Sequence, residues 1–390
     1  GDLYFRFYKD NGAILEAPLT ITGATAASPV VITYTGTDPS NGNAMELADV
    51  TGMTELNGRR VVVTNVNAGA NTFEAYDDDG TPLDGTDFTA YVSGGTASRV
   101  YELVTPYEGE NLFSMRFAQS TDTLYPAHQS YAPRKITRSA HTSWTITSIA
   151  FTDGPYQAIN NTTTTLELSG SSGSVNVTAS ATAGINNGDG FKTTDVGRLI
   201  RWKDAAGNWT WLTITARTSS TVVVANISGP VASVVDPTVD WRLGAYSDTT
   251  GYPSAVCFFQ DRLCYGGTLT EPQRVDGSNS AEYENFAPSE PDGTVVPSNA
   301  FSFTLNSSGV NVIRWLRDDE KGLMIGTVGG EWILRASSLS EAITASNVKA
   351  DESTNHGSAD VQPVKAGKAI LYLQRSGRKL RELAYVFQDD

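Results

Sequence analysis

The chain has 390 residues, with 28 Lys or Arg against 43 Asp or Glu, and a net charge of −15. This acidic balance argues against a surface that reads nucleic acid, because phosphate recognition needs clustered basic side chains. No apolar run approaches the roughly 18 residues of a membrane helix. The length favours two or three domains. Because the sequence starts at Gly1 without Met, we expect a piece of a longer protein.

The sequence contains few cysteines and histidines from which a metal site or a catalytic site could form. The two cysteines, Cys257 and Cys264, exclude a disulfide scaffold and a Cys-rich zinc site. The three histidines, His128, His141 and His356, lie far apart in sequence. We therefore predict no metal ion, no cofactor and no catalytic residue, and we expect that the protein is not an enzyme.

Short apolar runs rich in Val, Ile, Thr, Tyr and Phe follow one another along the chain, separated by Gly, Asn, Asp, Ser and Pro clusters. This pattern is typical of short antiparallel strands joined by tight turns. Only residues 339–348 have a helical pattern. Examples of the predicted strands are residues 3–8, 30–34, 60–64, 221–225 and 369–373.

Two stretches differ from the rest in composition, being poor in aromatic residues and rich in Thr, Ser, Ala and Gly. We interpret them as small β-domains inserted into a main body that is richer in Trp, Tyr, Phe and Arg. The predicted division is propeller strands at 1–18, inserted β-domain 1 at 19–99, propeller blades at 100–161, inserted β-domain 2 at 162–238 and propeller blades at 239–390.

The main body repeats one pattern: an apolar strand, a short polar turn, a second strand and then a third. An outer strand follows at 144–151. Repeats of three or four strands are the units of a β-propeller. We therefore predict an all-β fold with a partial β-propeller-like body interrupted by two small inserted β-domains; a β-sandwich is the alternative. The predicted third strands are residues 134–138, 273–277, 331–336 and 379–387.

One predicted hairpin brings the two cysteines together. Gln260 and Asp261 form a two-residue link between two apolar strands, which places Cys257 opposite Cys264. A cross-strand disulfide and two packed thiols both fit this arrangement. We favour thiols, because a bond between directly opposed strand residues is strained.

Carboxylate clusters are the remaining candidates for chemistry. Asp77 to Asp79 with Asp84 and Asp87 offer oxygen ligands for calcium, but Asp79-Gly80 is also an ordinary hairpin turn, which we favour. A glycoside hydrolase needs two carboxylates in one cleft. The candidates for this alternative are Asp318, Asp319 and Glu320 at a predicted hairpin tip, Glu331 beside Trp332, and Glu282 and Glu284 beside Tyr283.

A basic cluster stands out in this acidic chain. It either contacts DNA or an acidic partner, or forms one solvated hairpin edge, and we favour the edge. Its members are Arg375, Arg378, Lys379 and Arg381.

A set of motifs across the main body is similar to one protein family. The set comprises residues 105–107, 117–125, 133–138, 143–145, 252–253, 258–263, 266–268, 272–273, 283–286, 322–327, 330–332 and 374–383. Together these resemble the tail nozzle (tail tubular protein B) family of short-tailed bacteriophages. The likeness covers about residues 1–15, 100–160 and 240–390.

The first insert resembles a different module. Residues 53–58, 79–81 and 91–95, with Val61 and Phe73, look like the first-catalytic-cysteine half-domain of ubiquitin-activating enzymes. No cysteine lies in this insert, so the resemblance implies the β-fold and not the activity.

The nozzle resemblance implies a structural virion protein of the distal phage tail, assembled in the host cytoplasm, with a full chain longer at both ends. Six copies are expected to form a tube through which genomic DNA passes without sequence-specific binding. The implied partners are further copies of the chain, a tail adaptor, and fibre or spike proteins. The alternatives are a carbohydrate- or receptor-binding tail protein, for which propellers and Trp and Tyr rings are suited, and a glycoside hydrolase.

Overall fold

A computed structural model describes residues 1–232, 235–307, 309, 311–338 and 341–384. Over these residues the chain is almost entirely β-structure, and the strand pairings described are antiparallel, which confirms the all-β prediction. Two compact units are present. The first comprises Gly1–Leu112 and Arg138–Thr145, and the second Phe113–Thr137 and Ile146–Asp390.

The first unit contains a closed six-stranded barrel in the order β4-β5-β8-β7-β6-β9. Buried and half-buried residues alternate along β5, as expected for a strand with one face toward a core. Ile32, Leu47, Val63 and Phe73 are fully buried at the centre. The strands are β1 Tyr4–Arg6, β2 Tyr8–Lys9, β3 Gly12–Ala13, β4 Leu19–Ala24, β5 Val30–Thr35, β6 Ala44–Thr51, β7 Arg60–Asn67, β8 Thr72–Tyr76, β9 Ser93–Arg99 and β10 Glu102–Val104, with a 3₁₀ helix at Thr54–Leu56.

Four strands and then a six-stranded sheet follow along the chain. The four are β11 Arg116–Ser120, β12 Thr123–Ala127, β13 Arg134–Ala140 and β14 Ser143–Ser148, preceded by a 3₁₀ helix at Gly109–Ser114. The six are β15 Leu166–Leu168, β16 Ser174–Ala179, β17 Leu199–Lys203, β18 Trp209–Arg217, β19 Val222–Ile227 and β20 Trp241–Leu243, with 3₁₀ helices at Asn186–Gly188 and Thr193–Asp195. Their order is β15-β16-β19-β18-β17-β20, around the buried indoles of Trp202 and Trp241.

The rest of the second unit consists of consecutive antiparallel sheets. Each joins neighbouring strands in chain order: β21-β22-β23-β24, β25-β26-β27-β28 and β29-β30-β31. The strands are β21 Ala255–Phe259, β22 Arg262–Gly266, β23 Arg274–Gly277, β24 Phe301–Thr304, β25 Ile313–Asp318, β26 Leu323–Thr327, β27 Glu331–Ala336, β28 Val348–Thr354, β29 Val364–Ala366, β30 Ala369–Leu373 and β31 Leu380–Ala384.

These sheets pack face to face in succession. Val256 and Leu263 point toward Tyr125 of β12, whereas the alternate residues Cys257 and Cys264 join the core shared with β25 to β27. Because β21 and β22 are covered on both faces, their apolar runs are continuous rather than alternating. The next sheet is covered in the same way, through a third core around Trp315. This succession is the propeller-like body that the repeats predict.

Several strand and hairpin predictions of the main body agree with the structure, although the outer strand predicted at 144–151 ends at Ser148 and the strand predicted at 3–8 is divided between β1 and β2. The third strand predicted at 331–336 is β27, and Gln260 and Asp261 form the two-residue link, with φ of 45° and 56°. Cys257 lies opposite Cys264, and both are buried free thiols. Of the third strand predicted at 379–387, residues 385–387 lie outside the described part of the chain.

The helix predicted at 339–348 is wrong over the residues that the structure describes, 341–348, which form turns and the start of β28. Leu339 and Ser340 lie outside the described residues. The Asn347 side chain is one reason for the difference: its Oδ1 accepts a hydrogen bond from the Thr344 N–H at 2.7 Å. Such local bonds compete with helical ones.

No helix in the described part of the chain has the length and apolar character needed to cross a membrane.

Candidate functional site

Buried arginines hold the six-stranded sheet to the neighbouring loops of the second unit. Arg201 of β17 is 1% exposed and donates to the Ser289 carbonyl at 2.8 Å and to its hydroxyl at 3.1 Å. Its guanidinium also lies 5.1 Å from the ring centre of Trp209. Because buried charges need partners, these contacts fix the loop around Ser289 against β17 and β18.

Asp153 is the carboxylate of this cluster, at 1% exposure. Its Oδ1 accepts from the Tyr156 hydroxyl at 2.5 Å, and its Oδ2 lies 3.4 Å from Arg201 Nη2. Burial raises the pKa of Asp153, while the Arg201 charge and the Tyr156 hydrogen bond oppose that rise. The same burial raises the pKa of Tyr156 well above its usual value, so the phenol stays protonated as a donor.

Arg274 of β23 forms a second buried ion cluster. It pairs with Asp276 at 2.8 Å and Glu271 at 3.0 Å, and it donates to the Tyr156 carbonyl. Burial alone lowers the pKa of Arg274, but the two carboxylates outweigh it and raise the pKa above the usual value. The guanidinium is therefore a fixed cation that ties the residues around Asp153 to the sheet.

A cleft of about 410 Å³ opens beside these clusters, and we call it the polar cleft. Most of its lining comes from the loop between β23 and β24, with Trp211 from β18 and Asp153 from the segment after β14. None of the described residues that line it is Lys or Arg. The side chains used below are Asp153, Trp211, Asn279, Glu282, Asn285 and Glu290.

Two polar atoms in this wall, Asn279 Oδ1 and Trp211 Nε1, have no hydrogen-bond partner among the described residues, whereas Asp153 Oδ2 is compensated by its ion pair with Arg201. Asn279 is only 8% exposed, and both residues line the cleft. An unpartnered buried group costs about 1–3 kcal/mol, and such groups are rare in native proteins. This wall is therefore not satisfied by the protein alone.

A second cleft, of about 620 Å³, shares Thr152 and Trp211 with the polar cleft but is mainly apolar. Trp211 thus lines both the polar cleft and this apolar cleft. The apolar lining includes Ile149, Phe151, Pro155, Leu199, Tyr246 and Tyr252.

The carboxylates considered for sugar hydrolysis are not brought together. Glu331 is 0% exposed and accepts hydrogen bonds from the hydroxyls of Thr354 and Ser358, the latter at 2.7 Å. Glu284 is ion-paired with Lys135. Of this group only Glu282 lines the polar cleft.

The other clusters lie where turns were favoured. Asp318 ends β25 and Asp319 begins the hairpin turn, its N–H bonded to the Gly322 carbonyl. In the first unit, the Gly80 N–H donates to the Asp77 carbonyl at 2.9 Å, closing a turn. Hydrogen bonds from Thr81 lower the pKa of Asp79, so that carboxylate caps the turn as an anion.

The basic cluster occupies the link between β30 and β31 and the start of β31, where Arg375, Arg378 and Lys379 are exposed. Arg381 of β31 donates to Gln374 Oε1 at 3.1 Å. The cluster therefore lies on an exposed hairpin edge, and contact with DNA or an acidic partner stays an untested alternative.

Sequence reasoning did not single out Asp153, Trp211 or Asn279. They lie in three segments that only the fold brings together, so no spacing rule finds them. The sequence offers only weak signals for two of these residues. Asp153 directly precedes the turn residues Gly154-Pro155, and Trp211 lies two residues after Trp209.

No protein-family model matches this sequence, and no curated protein matches it. Among solved structures, the chain is similar to one described as Phage phi92 endosialidase. The identity is 12%, the match covers 99% of this chain and 70% of that chain, and the TM-score is 0.16. A TM-score of this size does not indicate a shared fold, and identity this low does not indicate a shared activity.

Proposed function

We propose that this protein is a structural component of a phage tail and forms part of the distal nozzle through which DNA leaves. The observation that supports this proposal is the succession of antiparallel sheets in chain order, with both faces covered in the sheets β21 to β24 and β25 to β28. Together with the motifs that resemble the nozzle family, this succession favours a wall-forming β-body over an enzyme built around a catalytic pair.

The charge of the chain agrees with a passive conduit. Duplex DNA carries about one phosphate charge per 1.7 Å of axis, and a cationic bore would hold it by counterion release. A chain with net charge −15 has no excess of cationic side chains with which to bind the phosphates. We therefore expect it to let DNA slide rather than bind it.

Immunogold labelling of intact virions with antibodies against this chain tests the location. Label confined to the distal end of the tail supports the proposal, whereas label on the capsid, or on fibres alone, contradicts it. Negative-stain images of the full-length protein test the assembly. Class averages with six-fold rings are expected, and a strictly monomeric protein in disrupted virions would count against a nozzle.

A further inference from the structure

We propose that the polar cleft binds a neutral, hydroxyl-rich ligand, an oligosaccharide. This site is separate from the nozzle role, and either proposal can fail without the other. The cleft volume of about 410 Å³ lies within the range of roughly 300–1,000 Å³ of small-ligand sites. Its lining combines one indole with amide, hydroxyl and carboxylate groups.

The available acceptors fit sugar hydroxyls. Asn285 Nδ2 donates to Glu282 Oε2 at 2.7 Å, which orients both side chains and leaves Glu282 Oε1 without a partner among the described residues. Glu290 Oε1 similarly accepts from Asn299 Nδ2 at 2.9 Å, and its other oxygen is unpartnered over the same residues. An ionised carboxylate only accepts, and a hydroxyl donates as well as accepts, so a polyol supplies what these groups lack.

Trp211 provides the apolar part of the site. An indole offers a flat face with an N–H at its edge, and sugars have C–H faces that pack on such rings. In the described chain, the Trp211 N–H has no hydrogen-bond acceptor and Asn279 Oδ1 has no donor. A sugar hydroxyl serves either atom.

Charge selects against acidic ligands. Asp153, Glu282 and Glu290 line the cleft, and no Lys or Arg stands among its described lining residues. A sialylated or phosphorylated sugar would meet the carboxylates of Glu282 and Glu290, because the nearby Arg201 guanidinium is 1% exposed and already bound to Asp153 and Ser289. An amine-bearing ligand is the competing class, and the hydroxyl and amide groups beside Trp211 favour the neutral polyol.

Saturation-transfer-difference NMR on the whole chain tests the proposal at millimolar sugar. The probes are glucose, galactose, N-acetylglucosamine and their disaccharides, with sialyllactose as the anionic member and glucosamine as the cationic one. We expect transfer to at least one neutral probe, a weaker signal with sialyllactose, and loss of about tenfold in affinity, equivalent to about 1.4 kcal/mol, in Trp211→Ala and Glu282→Ala.

Glu284→Ala is the matched control, because Glu284 lies two residues from Glu282 but outside the cleft lining. It should bind as the parent does. Should Trp211→Ala lose its fold, judged by its melting curve, the exposed Glu282 provides the decisive variant. Binding of none of the neutral probes, binding of glucosamine alone, preference for sialyllactose, or equal losses in Glu282→Ala and Glu284→Ala would each overturn the proposal.

Discussion

Some buried polar side chains stabilise the fold, although their neighbours in the sequence suggest a role in ligand contact. Glu331 lies beside Trp332, an arrangement suggestive of sugar contact, yet its carboxylate is fully buried and receives hydroxyl hydrogen bonds from Thr354 and Ser358. These bonds tie β27 to β28 and to the segment before β29. Glu331 is therefore a structural residue, and we expect its replacement to lower the free energy of unfolding.

We predict that Glu331→Gln lowers the free energy of unfolding by about 1–3 kcal/mol, because an amide offers one acceptor oxygen and leaves a buried hydroxyl without its charged partner. Denaturant titration measures the change. Glu320→Gln is the control, since the Glu320 side chain is 64% exposed and should shift stability by less than about 0.5 kcal/mol. Equal stability of Glu331→Gln and the parent would contradict this role.

A second prediction for a single residue concerns His128 and the dependence of stability on pH. Its Nδ1 accepts from the Ser130 N–H at 3.2 Å, so Nε2 carries the proton toward Ser114 Oγ at 2.9 Å. Burial lowers the pKa of His128, and the Arg116 charge adds to this, while Asp360 opposes it. The folded state therefore binds fewer protons than the unfolded state just below the usual histidine pKa of about 6.5.

Stability should consequently rise with pH through that window and be lost as the pH falls below about 6.5. We expect His128→Gln to flatten this part of the stability curve between pH 5 and 7.5, roughly the range where histidine titrates. Urea unfolding across the range gives the measurement. His141→Gln is the control, because His141 is exposed. An unchanged slope in His128→Gln would refute the assignment.

At the scale of elements, neighbouring strands of two sheets share one packing device, an aromatic ring over a glycine on the opposite strand. Trp315 of β25 is paired with Gly326 of β26, and Phe301 of β24 is paired with Gly277 of β23. A Cβ on Gly326 would lie 2.0 Å from Trp315 Cε2, and one on Gly277 would lie 2.2 Å from Phe301. Both glycines make room for a ring.

Gly326→Ala should therefore displace the Trp315 indole from the core around Tyr372 and lower the free energy of unfolding by about 1–3 kcal/mol, the usual cost of overpacking. Thermal unfolding followed by tryptophan fluorescence reports both effects. Gly170→Ala is the control in the same unit, because its Cβ would meet only Val175, at 3.4 Å. A Gly326→Ala variant with unaltered Trp315 emission and stability would exclude this packing role.

Elements were predictable where their determinants are local. The link at Gln260 and Asp261, the facing cysteines and strand β27 follow from apolar runs and turn residues that lie next to each other in sequence. The stretch 341–348 was not predictable in this way, because a distant contact adds to the local Asn347 bond: the Ile343 N–H donates to Gln260 Oε1 at 2.8 Å. That tertiary bond joins residues far apart in the chain and outweighs the local helical pattern.

The polar cleft was unpredictable for the same reason, on a larger scale. Its residues come from the segment at Asp153, from β18 and from the loop after β23, and only the docking of the six-stranded sheet brings them together. That sheet pairs β16 with β19 and β17 with β20, an order set by core packing around Trp202 and Trp241 rather than by any short motif.

At the scale of the whole molecule, the barrel closes at the point where the chain enters and leaves it. The strand that enters it, β4, pairs with the strand that leaves it, β9, through Leu19 and Ala97. Next to this closure, Glu16 forms an ion pair with Arg99 at the end of β9, and the Tyr101 N–H donates to the Ile14 carbonyl at 2.8 Å. Adjacent ends are what an inserted domain requires.

We therefore predict that residues 14–101, expressed alone, fold cooperatively. A closed barrel has no unpaired strand edge, and this one encloses its own apolar core, with Ile32, Val63 and Phe73 at 0% exposure. Dispersed amide resonances and a single sigmoidal urea transition are the expected results. The control is residues 14–92, which lacks β9, leaves an edge of β4 and of β6 unpaired, and should remain unfolded. A longer fragment without a cooperative transition, or a shortened one that folds equally well, would show that barrel closure does not stabilise this domain.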